Sequence, residues 1–134
     1  MHLLVVEDDP TVRRMLQLVL GDLGDVEAVS DREAAQEAVE RQRPDVVILD
    51  VMLHGLSGLA LLSHWRADPA YEDLPVILLT ALDDSMERKA GTAAGADAYL
   101  TKPFAPEDLV AVIQDLTLGG NRAERGLVGS ASRR

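Results

Sequence analysis

The sequence predicts an α/β fold, a five-stranded doubly wound parallel sheet with five helices. Short apolar runs alternate with stretches of helical periodicity over residues 1–118. Runs rich in Val, Ile and Leu are typical of parallel strands buried on both faces. Right-handed connections place helices on both faces, and 134 residues are too few for an eight-stranded barrel. The flavodoxin-like strand order 2-1-3-4-5 is therefore expected.

Five segments are predicted to be strands. The strongly apolar runs occupy residues 3–7, 46–49 and 76–79, and weaker runs occupy 26–29 and 97–101. Each is far shorter than the ~18 apolar residues that a membrane-spanning helix requires. The sequence therefore predicts a protein without a transmembrane segment.

The segments between and after the strands carry apolar residues at intervals of three and four, which is typical of amphipathic helices. Asp9 and Pro10 form a start signal for the first helix. Ser30 followed by Glu33 looks like a capping box that opens the second, and Pro106 begins the fifth. Each helix is expected to turn one apolar face toward the sheet. From the first helix to the fifth, these faces are Val12, Met15, Leu16, Val19 and Leu23; Ala35, Ala38 and Val39; Leu59, Leu62 and Trp65; Met86, Ala90, Ala93 and Ala94; and Leu109, Val112, Ile113 and Leu116.

Composition excludes several classes of function. The net charge of -10 argues against a duplex-binding surface, which needs clustered Lys and Arg. The absence of cysteine excludes disulfides, thiolate zinc sites and cysteine nucleophiles. The amino terminus lacks the basic start and cleavage site of a secretory signal. We expect an acidic cytoplasmic protein that binds neither nucleic acid nor membrane.

The chain divides at residue 118. Residues 1–118 hold all the predicted elements, whereas residues 119–134 are rich in Gly and Ser and have four Arg against one Glu. Such a segment without apolar periodicity is predicted to be a flexible basic tail or linker.

Reactive side chains follow four of the five predicted strands. The first strand leads into Glu7, Asp8 and Asp9, the third into Asp50, the fourth into Thr80, and the fifth into Lys102. Ligands of doubly wound sheets bind beyond the carboxyl ends of the strands, and the expected strand order places Asp8 beside Asp50. The sequence therefore predicts an acidic site at this edge.

Clustered carboxylates repel one another unless a cation compensates them. Mg²⁺ is suited to one or two carboxylates together with water and a phosphate. Lys102 is expected to balance an anionic substrate, and Thr80 to donate a hydrogen bond to a phosphoryl oxygen. A carboxylate can also act as the nucleophile and become an aspartyl phosphate.

Four motifs resemble the signatures of the CheY-like receiver domain of two-component response regulators. They are Leu3 to Pro10 (LLVVEDDP), Val47 to Asp50 (VILD), Ile77 to Ala81 (ILLTA) and Ala98 to Phe104 (AYLTKPF). The resemblance extends over residues 2–118. It implies that Asp50 is the phospho-acceptor, with Mg²⁺ held by Asp50, by Asp8, by Glu7 through water, and by the backbone carbonyl of Met52.

The resemblance also implies roles around the phosphoryl group. Thr80, Ala81 and Lys102 would contact it, Thr80 and Tyr99 would form the switch, and the Lys102–Pro103 peptide bond would be cis. A sensor histidine kinase or phosphotransfer protein would be the donor, and the fourth helix, fifth strand and fifth helix would form the output surface. The chain would be a switch rather than a metabolic enzyme, a monomer or weak phosphorylation-dependent dimer, acting on an unidentified output domain or protein.

Some positions depart from the family pattern. His54 stands where the family usually has Pro. Met52 and Leu82 are apolar where many relatives carry polar groups that orient water, so slow self-dephosphorylation is expected.

Two alternative functions remain open. A pseudo-receiver would act as a binding module without phosphorylation, although all the expected site residues are present. A haloacid-dehalogenase-like phosphatase also uses an Asp nucleophile, but it expects a second Asp where Met52 stands. A flavodoxin-like FMN carrier is disfavoured because Glu7, Asp8 and Asp9 would repel its phosphate, and no G-x-G-x-x-G motif indicates a dinucleotide site.

Overall fold

The structure, a computed structural model, describes residues 1–53, 55–80, 89 and 94–118. Its elements in chain order are β1 (His2–Val6), α1 (Pro10–Leu20), β2 (Asp25–Val29), α2 (Arg32–Arg41), β3 (Val46–Asp50), β4 (Met52–Leu53), β5 (Leu56–Ser57), α3 (Leu59–Arg66), β6 (Val76–Thr80), β7 (Ala98–Thr101) and α4 (Pro106–Leu118). The predicted helix with apolar positions from Met86 to Ala94, and the predicted tail 119–134, lie largely or wholly outside the described residues.

Five parallel strands form the main sheet in the order β2-β1-β3-β6-β7. This is the predicted 2-1-3-4-5 order. The short antiparallel pair β4–β5 lies outside the main sheet, so β6 and β7 are the fourth and fifth strands of that sheet. The doubly wound α/β fold is thereby confirmed. The β4–β5 hairpin, which directly follows β3, was not predicted, since its two-residue strands are too short to show an alternating pattern.

Side-chain caps mark the starts of α1 and α2. The Asp9 carboxylate accepts hydrogen bonds from the backbone N–H groups of Thr11 and Val12, as the predicted start of α1 requires. The predicted capping box of Ser30 and Glu33 is wrong. Asp31 is the N-cap of α2 and accepts from the Ala34 N–H at 2.8 Å, because a carboxylate one residue later reaches the free donors of the first turn.

Two apolar cores lie on opposite faces of the sheet. One contains residues of α2 and α3, including the buried Trp65, whose indole N–H donates to Gln36 of α2 at 2.8 Å. The other contains residues of α1 and α4, including Leu16 and Ile113. The central strand β3 is buried along its whole length. The sheet is therefore a rigid frame for the residues that follow its strands.

Among the described residues, no helix has the length and apolar character needed to cross a membrane.

Candidate functional site

Three carboxylates converge at the carboxyl edge of the sheet. Val6 at the end of β1 pairs with Leu49 of β3, so Glu7 and Asp8 leave β1 beside Asp50. One carboxylate oxygen from each of Glu7, Asp8 and Asp50 lies within 4.8 Å of the others. Glu7 and Asp50 are buried, and Asp8 is half-buried. The structure thus brings together the three acids that the strand order predicts at one point.

Lys102 completes this cluster from the other side of β3. It follows β7, and its backbone N–H donates to the Thr80 carbonyl at 2.7 Å. Its ammonium Nζ donates to Glu7 Oε1 at 2.9 Å and to Asp50 Oδ2 at 2.8 Å. The Lys102–Pro103 peptide bond is cis, as the resemblance implies. The lysine therefore balances part of the negative charge that burial makes costly.

Backbone N–H groups donate to the other carboxylate oxygens of Asp50 and Glu7. The Met52 N–H donates to Asp50 Oδ1 at 3.1 Å, and the Asp9 N–H donates to Glu7 Oε2 at 3.0 Å. Each of these two side chains is therefore oriented by the short segment that follows its own strand. That the Met52 carbonyl is a metal ligand stays a prediction.

The surroundings of Glu7 raise the pKa of its carboxyl group. Burial and, after it, the neighbouring Asp50 raise the pKa of this carboxyl group to about 7, against the lowering effect of the Asp9 N–H and of Lys102. Near neutral pH, Glu7 is thus poised between its protonated and ionised forms.

The cluster also raises the pKa of Lys102. Burial by itself lowers the pKa of its ammonium, but the hydrogen bonds to Asp50 and Glu7, together with their negative charge, outweigh burial and raise the pKa above its ordinary value. Lys102 is therefore a permanent positive charge in this site at physiological pH.

A cavity of about 300 Å³ opens onto this cluster, lined by Glu7, Asp8, Asp9, Asp50, Val51, Met52 and Lys102. Met52 is 46% exposed at this position. A volume of this size, with acidic and cationic groups in its wall, has room for a hydrated cation and a small anionic group.

Thr80 lies at the end of β6, next to the strand that carries Asp50. Its side chain is buried, and its hydroxyl oxygen has no hydrogen-bond partner among the described residues. Tyr99 of β7 is half-buried and packs against the core on the α2 and α3 face. Their predicted switch roles stay predictions. Ala81, His54 and Leu82 lie outside the described residues.

Two residues near the acids were missed from the sequence. Gly58 lies so close to β3 that a Cβ atom there would overlap the Asp50 carbonyl oxygen. Arg13 of α1 donates to the backbone carbonyls of Glu7 and Asp8. No spacing rule marks either contact, because both depend on how separate segments pack in three dimensions.

The sheet order and the site define a doubly wound α/β domain with an acidic, lysine-bridged pocket at its carboxyl edge. Comparison with known proteins gives the family. The sequence model of the response regulator receiver domain family matches residues 3–114. The chain belongs to this family of two-component signalling proteins.

The relatives and solved structures agree with this assignment. The response regulator MprA of Mycobacterium leprae is 46% identical over 117 residues, which is 87% of this chain and 50% of that protein. A response regulator from Chloroflexus aurantiacus has a TM-score of 0.83 at 39% identity, covering 87% of this chain and 97% of that one. The receiver domain of a sensor histidine kinase from Pseudomonas aeruginosa, solved with a magnesium ion coordinated in its active-site cleft, has a TM-score of 0.79 at 32% identity, covering 88% and 98%. The chain spans about half the length of the curated relatives it matches.

Proposed function

We propose that this receiver domain accepts a phosphoryl group on Asp50 in a Mg²⁺-dependent reaction and thereby switches an output surface. The observation that carries this proposal is the position of Asp50. Its carboxylate is fixed by Lys102 and the Met52 N–H, next to two further acids and beside a cavity. A nucleophile, a cationic partner and a candidate metal cluster therefore meet at one point.

The residues present fit a magnesium ion. Three carboxylates within 4.8 Å of one another are hard oxygen ligands of the kind that Mg²⁺ prefers. Their single charge-balancing lysine among the described residues leaves negative charge in the cluster. Glu7, Asp8, Asp50 and the Met52 carbonyl would hold the ion. When bound, Mg²⁺ supplies positive charge that neutralises the phosphoryl oxygens during transfer.

The chain's own residues would perform the transfer by positioning. A carboxylate oxygen of Asp50 attacks the phosphorus of a phosphohistidine, the O–P bond forms, and the N–P bond to the donor imidazole breaks. Lys102 would move its hydrogen bond from Asp50 to a phosphoryl oxygen, where its charge stabilises the transition state. The Thr80 hydroxyl, which has no hydrogen-bond partner among the described residues, would donate to a second phosphoryl oxygen, with Ala81 leaving space beside it.

The added phosphoryl charge would shift an equilibrium between inactive and active conformations. Movement of Thr80 would let Tyr99 turn inward. This would change the face formed by β7, α4 and the fourth predicted helix, the one with apolar positions from Met86 to Ala94. We propose that this face contacts an output domain or partner protein and that a sensor histidine kinase or phosphotransfer protein supplies the phosphoryl group. In this proposal the chain is a switch that phosphorylates and dephosphorylates itself, not a metabolic enzyme.

Intact mass measurement after incubation with acetyl phosphate tests the proposal. With Mg²⁺, we expect a base-labile phosphoryl adduct on the wild-type protein and none on Asp50→Asn, which retains a similar shape but lacks the nucleophile. Omitting Mg²⁺ should suppress the adduct.

A folded wild-type protein that binds no Mg²⁺ and forms no adduct would overturn the proposal in favour of the pseudo-receiver. Turnover of a generic phosphatase substrate would instead indicate a phosphatase.

A further inference from the structure

Arg13 connects helix α1 to the backbone that carries two of the three acids. Its guanidinium Nη1 donates to the Glu7 carbonyl at 2.9 Å and lies 3.4 Å from the Asp8 carbonyl. The side chain is half-buried, whereas that of the neighbouring Arg14 is exposed. Side chains of a helix point toward its amino terminus, which is why Arg13, the fourth residue of α1, reaches back to this segment.

The segment from Glu7 to Asp9 needs such support. The pairing of β1 with β2 and β3 ends at Val6, and the Glu7 N–H makes one more bond, to the Val29 carbonyl at 3.0 Å. Beyond this point the backbone leaves the sheet, so its carbonyl groups need other partners. Arg13 supplies them, while Asp9 caps the same helix.

The position of this arginine opposes the field of its helix. A cation near a helix amino terminus is unfavourable, because the macrodipole places partial positive charge there. The guanidinium offsets this cost with charge-assisted hydrogen bonds to the two carbonyl oxygens. A planar group with several donors can contact both carbonyls, whereas a lysine ammonium is a point charge with less fixed geometry.

We infer that Arg13 is a positioning residue of the metal site, holding the backbone of Glu7 and Asp8 so that their carboxylates converge on Asp50. The inference rests on the proposed function. In this inference Arg13 acts through the two backbone carbonyls that it contacts. Groups that orient metal ligands in this way commonly change affinity by 10- to 100-fold when they are removed.

Calorimetric titration of the whole chain with Mg²⁺ tests this inference, because the two explanations predict opposite changes in Mg²⁺ affinity when Arg13 is replaced. Removing a cation beside a dication site should strengthen Mg²⁺ binding if only charge matters. If Arg13 positions the ligands, Arg13→Ala should instead weaken binding by about tenfold. Arg14→Ala is the matched control, since it removes the same charge from the next residue and should change affinity by less than about twofold because an exposed charge is screened.

Arg13→Lys keeps the charge and provides a second test should Arg13→Ala fail to fold. We expect it to bind Mg²⁺ several-fold more weakly than the wild type. The Mg²⁺ concentration for half-maximal phosphorylation by acetyl phosphate should rise by the same factor, while the rate at saturating Mg²⁺ is retained.

Wild-type Mg²⁺ affinity in Arg13→Lys, or unchanged or tighter binding in Arg13→Ala, would overturn the inference alone. So would a lowered melting temperature without a change in Mg²⁺ affinity, because that is the effect of a purely structural residue. Failure of the wild-type protein itself to bind Mg²⁺ would overturn the proposed function, and the inference with it.

Discussion

Glu7 is a carboxyl group whose charge depends on its surroundings near neutral pH. Its side chain is buried between Lys102 and the two other acids of the cluster, and burial raises its pKa to about 7. If Glu7 helps to hold Mg²⁺, as proposed above, protons and the metal ion compete for the same group. Mg²⁺ binding should then depend on pH.

We predict that Mg²⁺ binding strengthens as the pH rises through the pKa of Glu7. Between about pH 6 and about pH 8 the ionised fraction of a group with this pKa grows roughly tenfold, and the calorimetric affinity should follow. Glu7→Gln, which does not titrate, should bind more weakly at both values and lose this increase. An equally steep pH dependence in the variant would assign the titration to another group.

The stability of the metal-free protein should change in the opposite direction. The folded-state pKa of Glu7, about 7, lies above its ordinary value of 4.5, so the protonated form stabilises the fold. This contribution is complete below about pH 4.5 and is lost as the pH rises through about 7. Urea unfolding over this pH range with a chelator present, compared between wild type and Glu7→Gln, should isolate the stability contribution of Glu7.

Met52 controls the access of water to Asp50 in our interpretation. It is 46% exposed in the wall of the cavity and offers no polar atom that could orient an attacking water strongly. We predict that Met52→Asn shortens the lifetime of phospho-Asp50 several-fold, because a positioned polar group assists proton transfer. The decay of the phosphoryl adduct by intact mass measures this effect, with Met52→Leu as the apolar control. Equal lifetimes in all three proteins would refute the role of this side chain.

At the scale of elements, the segment that follows β3 packs closely against Asp50. Gly58 precedes α3, and its N–H donates to the Val51 carbonyl at 2.5 Å. Its backbone conformation is ordinary, but a Cβ atom would overlap the Asp50 carbonyl oxygen. Glycine is needed here for close approach rather than for unusual dihedral angles.

We predict that Gly58→Ala destabilises the protein by about 1–3 kcal/mol and slows phosphorylation of Asp50, because the backbone of β3 or of the turn must shift. Gly55→Ala is a suitable control. Gly55 has a φ of 77°, and a Cβ there meets no atom of the described residues within 4 Å, so the change should cost about 1 kcal/mol through dihedral strain and leave the phosphorylation rate intact. Urea unfolding measures the change in stability, and the rate of adduct formation measures phosphorylation. Slower phosphorylation in both variants would contradict a specific role for Gly58.

At the scale of the whole molecule, a buried ion pair lies at the amino-terminal edge of the sheet, opposite the candidate site. Arg66 at the end of α3 donates to Asp97 Oδ2 at 3.0 Å and to the Gly95 carbonyl at 2.8 Å. The same carboxylate oxygen accepts the Val76 N–H at the start of β6 at 2.9 Å. One carboxylate thus joins α3, β6 and the segment before β7.

We predict that Asp97→Ala lowers the free energy of unfolding by about 3 kcal/mol or more, since it removes the carboxylate that pairs with a largely buried guanidinium and accepts the Val76 N–H. Asp73→Ala breaks the exposed pair of Asp73 with Arg43 and should cost less than about 1 kcal/mol. Urea unfolding measures both changes. Similar small losses in the two variants would show that the buried pair contributes little net stability.

The sequence alone determined the strand order and the residues that meet at its carboxyl edge. Strands as apolar as β3 and β6 have no exposed face, so they must be covered by helices, and right-handed connections leave few possible orders. Asp8 beside Asp50 follows from that order, because each residue is placed by the end of its own strand.

Contacts between segments distant in the chain were decided by the tertiary structure. The bridging of Glu7 and Asp50 by Lys102, the contact of Gly58 with Asp50, and the reach of Arg13 back to Glu7 all depend on distances of a few ångströms across packed elements. The choice of Asp31 over Ser30 as the N-cap of α2 depends on where the chain leaves β2. Periodicity and spacing report which face a residue occupies, but they carry no information about such distances, and the raised pKa of Glu7 exists only because folding buries it.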